Sequence, residues 1–259
     1  MSRETGLEEI LKELRKYLEF QKNLGLETLI MRKKREDKDK SRAEQEKNPL
    51  TDQGKNIIKV QEQLSIFDTT RKPTLEEIRE EIGDCTRCKL HRWRTNIVFG
   101  EGNPNARIVF VGEGPGEEED KQGRPFVGKA GQLLNKILNA MGLKRSDVYI
   151  CNVVKCRPPG NRTPEPDEIG TCEQFLFKQI KAIESDIIVC LGNVAAQTIL
   201  RTKDKLGNLR GRFHYYGKAK VMATYHPAAL LRNPNLKKLL WEDMQLVIKE
   251  LNLSAPEKQ

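Results

Sequence analysis

The chain has 259 residues, a formal charge of +9 and a mean hydropathy of -0.65. That length allows one well-buried α/β domain with an appendage, and a charged fraction of 32% leaves part of the chain outside any core. No apolar run is long enough to span a bilayer and no basic-then-apolar leader is present, so a membrane protein is excluded and a cytoplasmic one is expected.

In chain order, Leu7, Ile10, Leu11, Leu14 and Leu18 recur at helical spacing and predict an amphipathic helix. The mixed-charge run from Met31 to Lys40 has no apolar period and predicts solvated, disordered linker. Gln63-Leu-Ser-Ile-Phe67 breaks that polar background, and from Pro73 a short helix leads to Asp84-Cys-Thr-Arg-Cys88. Two domains follow from this division: 1–72, a helix with charged linker, and 73–253, the folded body. Apolar runs at 107–112, 147–154, 186–191 and 220–225 predict four strands, with helices over 129–141, 171–183 and 241–251. Such alternation predicts a three-layer α/β/α sandwich around a mainly parallel four-stranded sheet, with the site beyond the strands' carboxyl ends.

The informative residues fall at those ends. The first strand runs into Gly112-Glu-Gly-Pro-Gly-Glu-Glu-Glu-Asp120, where glycines let backbone approach a flat ligand and Pro115 stiffens the loop. Alone, it reads more readily as a strand-to-helix turn with a solvated acidic face. The last strand runs into His226-Pro-Ala-Ala-Leu-Leu-Arg-Asn-Pro234, and a lone His there is more often structural. A carboxylate loop paired with His-Pro-x-x-Leu resembles the two active-site motifs of the uracil-DNA glycosylase superfamily. Gly123-Arg-Pro-Phe-Val-Gly128 and Asn152-Val-Val-Lys-Cys-Arg-Pro158 extend the match, and four cysteines narrow it to the family-4, iron–sulfur branch.

The resemblance implies hydrolysis of the N-glycosidic bond of deoxyuridine in DNA, leaving free uracil and an abasic site. Glu113 would hold the attacking water and stabilise the sugar cation, and His226 would donate to the departing uracil oxygen. Gly112, Gly114, Pro115, Gly116, Glu119, Phe126 and Asn152 would surround the flipped base. Phe126 would stack on it, Asn152 would read its edge, and Glu119 would lie near uracil C5 and exclude thymine. Leu230, Leu231 and Arg232 correspond to the family's wedge into the DNA stack, although two leucines could equally start a helix. Lys129, Arg157 and Arg232 are candidates for phosphate contacts.

Cys85, Cys88, Cys156 and Cys172 match the family's ligands for a structural [4Fe–4S] cluster. Four thiolates could also hold zinc, but zinc ribbons pair two short knuckles and the second half here lacks one. Cys151 and Cys190 lie inside apolar strands and are expected in the core. Gln63–Phe67 resembles the peptide by which bacterial repair proteins dock on the sliding clamp. The expected partners are therefore uracil-containing DNA and a clamp, with the protein itself a monomer. Rival readings are a superfamily member that bonds covalently to abasic DNA, and a catalytically silent DNA-binding adaptor. The loop Arg157-Pro-Pro-Gly-Asn-Arg-Thr163 lacks the histidine the covalent branch needs, and an adaptor has no use for Glu113, Phe126, Asn152 and His226 together.

Overall fold

A computed structural model describes residues 72–253, so the amphipathic helix, the charged run and the Gln63–Phe67 peptide expected above lie outside the described residues. The four apolar runs form β2 (Ile108–Gly112), β3 (Tyr149–Asn152), β4 (Ile187–Leu191) and β6 (Ala219–Thr224). They pair in parallel in the order β3-β2-β4-β6. The expected four-stranded sheet is corrected to six strands. β1 (Glu101–Gly102) adds antiparallel to β3, and β5 (Phe213–Tyr216) adds antiparallel to β6. Both additions are edge strands, too short or too exposed to carry a continuous apolar run.

The parallel strands are buried on both faces because successive side chains point in opposite directions. Val109, Val111, Cys151, Ile188, Cys190, Val221 and Ala223 meet α4 (Pro166–Ile183) and α5 (Asn193–Leu200) on one side. Ile108, Phe110, Ile150, Val189 and Met222 meet α3 (Lys129–Ala140) and α8 (Leu236–Glu250) on the other. Three layers result, with Cys151 and Cys190 in the core as expected.

The helix after Pro73 is α1 (Leu75–Ile82), opened by a capping box in which Thr74 accepts from Glu77 N–H and Glu77 accepts from Thr74 N–H. It packs into the fold instead of merely leading to it: Ile78 and Ile82 are buried against Phe99, Phe175 and Ala182. α4 starts five residues before the expected Thr171, since Pro166 occupies its first turn and Glu168 accepts from Glu165 N–H. The short helices are α2 (Glu117–Gln122), α6 (Leu206–Leu209) and α7 (Pro227–Arg232). No helix among the described residues is long and apolar enough to cross a membrane.

Candidate functional site

Parallel pairing brings the carboxyl ends of β2, β3 and β6 to one edge, where β2 passes into the 113–116 loop and β6 into His226. Gly112 pairs with Asn152 across the β2–β3 ladder. A Cβ on Gly112 would stand 2.3 Å from Asn152 Oδ1 and 2.6 Å from Phe126 Cζ. Bare backbone, the Asn152 amide and the Phe126 ring therefore meet at one spot. At the other two loop glycines an added Cβ would also meet protein atoms. A Cβ on Gly114 would lie 2.8 Å from Val154 Cγ2, and one on Gly116 would lie 2.7 Å from Glu119 Oε2. They pack against protein, beside a buried Pro115.

Phe126 sits at φ 52°, a backbone conformation that costs a bulky residue on the order of 1–3 kcal/mol. Its neighbours hold it there. Glu119 Oε1 accepts from Val127 N–H at 2.8 Å and Gly128 N–H at 2.9 Å. Arg145 donates to the Phe126 carbonyl at 3.1 Å and to the Pro125 carbonyl, and is itself fixed by Glu101. Gly131 on α3 completes the cradle, since a Cβ there would stand 1.9 Å from the Phe126 oxygen. The result is a buried ring lying 5.4 Å, centroid to centroid, from the His226 imidazole. Arg145 and Glu101 lie outside the motifs, and nothing in their local sequence marks them.

Asn152 is buried and its Oδ1 has no hydrogen-bond partner among the described residues. An orphaned acceptor of this kind costs on the order of 1–3 kcal/mol unless a ligand N–H meets it. His226 caps α7, its Nδ1 accepting from Ala228 N–H at 3.1 Å, so the ring proton is assigned to Nε2. Burial, helped by Arg232 and opposed by Glu119, pushes the imidazole down to about 4. The ring is thus neutral near pH 7 and presents an Nε2–H donor.

Glu113 is half-buried, and burial pushes its carboxyl above the ordinary range while a hydrogen bond from Thr163 pulls the other way. The backbone here is fixed by Val153 N–H on the Gly112 carbonyl and Val154 N–H on the Glu113 carbonyl. Thr163 is held in turn by Arg162, which donates to its carbonyl and forms a two-pronged pair with the buried Glu168. Fifty residues separate Thr163 from the loop it supports, so only the fold reveals it.

At the wedge the structure corrects one expectation. Leu230 is only 1% exposed and packs with the α3 and α8 core, while Leu231 is 49% exposed beside an exposed Arg232. One step along α7 turns a side chain about 100°, enough to send one leucine inward and the next outward. Among the phosphate candidates, Lys129 and Arg232 are exposed, whereas Arg157 is engaged by Asn161 and Glu117.

Cys85, Cys88, Cys156 and Cys172 line a single cavity with Ile82, Lys155 and Phe175. Arg87 donates to Cys85 Sγ at 3.3 Å, Arg94 to Cys156 Sγ at 3.5 Å, and Lys155 N–H to Cys172 Sγ at 3.3 Å. Among the described residues, no three His, Cys, Asp or Glu side chains are gathered as ligands of one metal ion; the four sulfurs line the cavity walls instead.

Residues 99–245 match the family model of the uracil DNA glycosylase superfamily. A type-4 uracil-DNA glycosylase of Thermotoga maritima is 51% identical over 180 residues, covering 68% of this chain and 94% of that protein. The type-4 enzyme of Sulfurisphaera tokodaii is 50% identical, covering 67% and 83% respectively. The type-4 enzyme of Archaeoglobus fulgidus is 46% identical, covering 67% and 92%. With its glycine–carboxylate loop, strand-end asparagine and neutral histidine on one sheet edge, the chain belongs to the uracil-DNA glycosylase superfamily.

Proposed function

We propose that this protein hydrolyses the N-glycosidic bond of deoxyuridine in DNA, releasing uracil and leaving an abasic site. The observation that carries this reading is the orphaned Asn152 Oδ1, buried beside the Phe126 ring and the bare backbone of Gly112. A flipped uracil would stack on Phe126, donate N3–H to Asn152 Oδ1 and accept the Asn152 amide at O4. Cytosine reverses that donor–acceptor order and would leave the acceptor unmet.

As the bond from C1′ to N1 breaks, its electron pair moves onto the base and charge gathers on uracil O2. His226 Nε2–H, fixed through Nδ1, faces that charge without needing to be protonated. The ionised Glu113 stabilises the sugar cation and takes a proton from the water whose oxygen bonds to C1′. Glu119 holds the Phe126 turn through Oε1, which accepts from Val127 and Gly128 N–H, and would exclude thymine near uracil C5. Leu231 and Arg232 present the wedge, and Lys129 and Arg232 meet phosphates.

Cys85, Cys88, Cys156 and Cys172 would hold a [4Fe–4S] cluster, supported by a lining with no imidazole or carboxylate and by N–H donors on three of the sulfurs. When bound, the group supplies a cross-link between the segment following α1 and helix α4. Iron and sulfide content, with the visible absorbance, tests this. In the same protein Gln63–Phe67 is proposed to dock on a bacterial sliding clamp. Gln63→Ala/Phe67→Ala should abolish clamp binding while excision from a short oligonucleotide continues unchanged.

The main test incubates the protein with a labelled uracil-containing single strand and then cleaves abasic sites with alkali. A product band that disappears in Glu113→Ala and His226→Ala supports the proposal. No band, despite tight DNA binding, favours the adaptor, and a shifted alkali-resistant band favours covalent capture.

A further inference from the structure

The Lys155 amine has none of the roles above, yet this side chain is among the most deeply buried, with 1% of its surface exposed. Lysine seldom goes fully inside without a purpose, because its amine must find acceptors there. Here Nζ donates to the Asn152 main-chain carbonyl at 2.7 Å and to Gln179 Oε1 at 2.6 Å. No carboxylate takes part. Gln179, itself fully buried on α4, donates onward to the Phe99 carbonyl at 2.9 Å and to the Tyr149 hydroxyl at 3.3 Å.

The backbone of Lys155 is equally committed. Its N–H donates to Cys172 Sγ at 3.3 Å and its carbonyl accepts from Val98 N–H at 2.8 Å. One residue therefore ties the end of β3, which carries the Asn152 amide, both to α4 and to the cysteine-lined cavity. Asn152 is the last residue of β3, and beyond it Val153 and Val154 N–H still hold the Gly112 and Glu113 carbonyls. The Lys155 amine adds a tie at the Asn152 carbonyl itself, the peptide next to the base-reading side chain.

We infer that Lys155 is a positioning residue for base recognition: through the Asn152 carbonyl and Gln179 it sets the base-reading amide, and through Cys172 it joins that amide to the cysteine cavity. The inference rests on the proposed uracil excision. A misplaced amide should slow the chemical step more than it weakens DNA binding, which is carried largely by phosphate contacts.

The experiment first establishes excision by the wild-type protein, which tests the proposed function separately. Lys155→Met and the apolar pair Lys155→Met/Gln179→Leu are then compared with it; the pair removes the polar link without leaving Gln179 unmet. In the pair we expect kcat to fall at least about tenfold while KM for the DNA stays within about twofold. Its preference for DNA carrying a non-cleavable 2′-fluorinated deoxyuridine over the matching thymidine strand should shrink by a similar factor. Iron and sulfide content and visible absorbance should stay at wild-type level. Wild-type kcat and base preference in the pair would overturn the inference. So would equal losses of iron, DNA binding and folded protein in both variants, which would mark Lys155 as a residue of the fold alone.

Discussion

At Gly112 the distance to the next side chain decides what the site admits. A methyl group there would stand 2.3 Å from Asn152 Oδ1 and within 2.7 Å of two Phe126 ring atoms, where the flat base is expected. Gly112→Ala should therefore lower kcat/KM for uracil excision by at least about a hundredfold, with DNA binding retained. Activity within tenfold of wild type would place the base elsewhere. Glu113 permits a finer test. It acts ionised, so kcat/KM should be full at neutral pH and fall as the solution is acidified through the Glu113 titration, which burial has raised. His226 remains neutral down to about 4 and contributes nothing to that limb at higher pH. Removing the Thr163 hydroxyl takes away a hydrogen bond that favours the carboxylate. Thr163→Val should move the midpoint to higher pH, and Thr163→Ser should return it. A Thr163→Val profile superimposed on wild type would show that the hydroxyl does not tune Glu113.

Among the elements, the parallel strands were legible because both their faces are buried and they spell continuous apolar runs. The edge strands were not. β1 has two residues, and β5 is a half-exposed Phe-His-Tyr-Tyr segment whose identity depends on its pairing with β6. The late start expected for α4 has a related reason, since its first turn is polar and apolar spacing gives little signal there; α8 differs, because Leu236, Leu239 and Leu240 already stand at helical spacing ahead of Trp241. The site divides in the same way. Glu113, Phe126, Asn152 and His226 occupy compact motifs, whereas Thr163, Arg145 and Glu101 act across long separations; Lys155 lies within the Asn152–Pro158 motif, but its bond to Gln179 on α4 emerges only in the fold. Which of two adjacent leucines on α7 faces inward also awaited the fold. A second long-range link predicts how α8 is held. Asp243, fully buried on that helix, accepts from Thr224 Oγ1 at 2.7 Å and from two nitrogens of Arg210. Asp243→Ala would leave Arg210 and Thr224 unmatched near the end of β6, and should cost about 3 kcal/mol. Urea unfolding checks this, and a loss under 1 kcal/mol would mean that water replaces the carboxylate.

Over the whole molecule, the charge decides how DNA is met before any base is read. Acidic and basic residues nearly balance through the first 71 positions, so most of the +9 falls on the described residues. Many of the cations stand in ion pairs, which leaves that net charge unchanged but occupies the groups: Arg145 and Arg124 with Glu101, Arg162 with Glu168, Arg210 with Asp243, Lys89 with Glu165. Paired cations release few counterions from a phosphate backbone, so the salt dependence of binding should reflect exposed residues near the site and fall well short of the formal charge. Lys129 at the start of α3 and Arg232 at the end of α7 are exposed and flank the Phe126–His226 contact in sequence. Each, replaced by Ala, should reduce the slope of log Kd against log salt on a uracil-containing single strand by about 0.7. Arg157→Ala should change it less, because that guanidinium already serves Asn161 and Glu117. Since phosphate contacts position without reading sequence, uracil-over-thymine preference should remain unchanged in all three. A slope unchanged by Lys129→Ala and Arg232→Ala would instead move the DNA track to another face, and with it the assignment of Leu231 as the wedge.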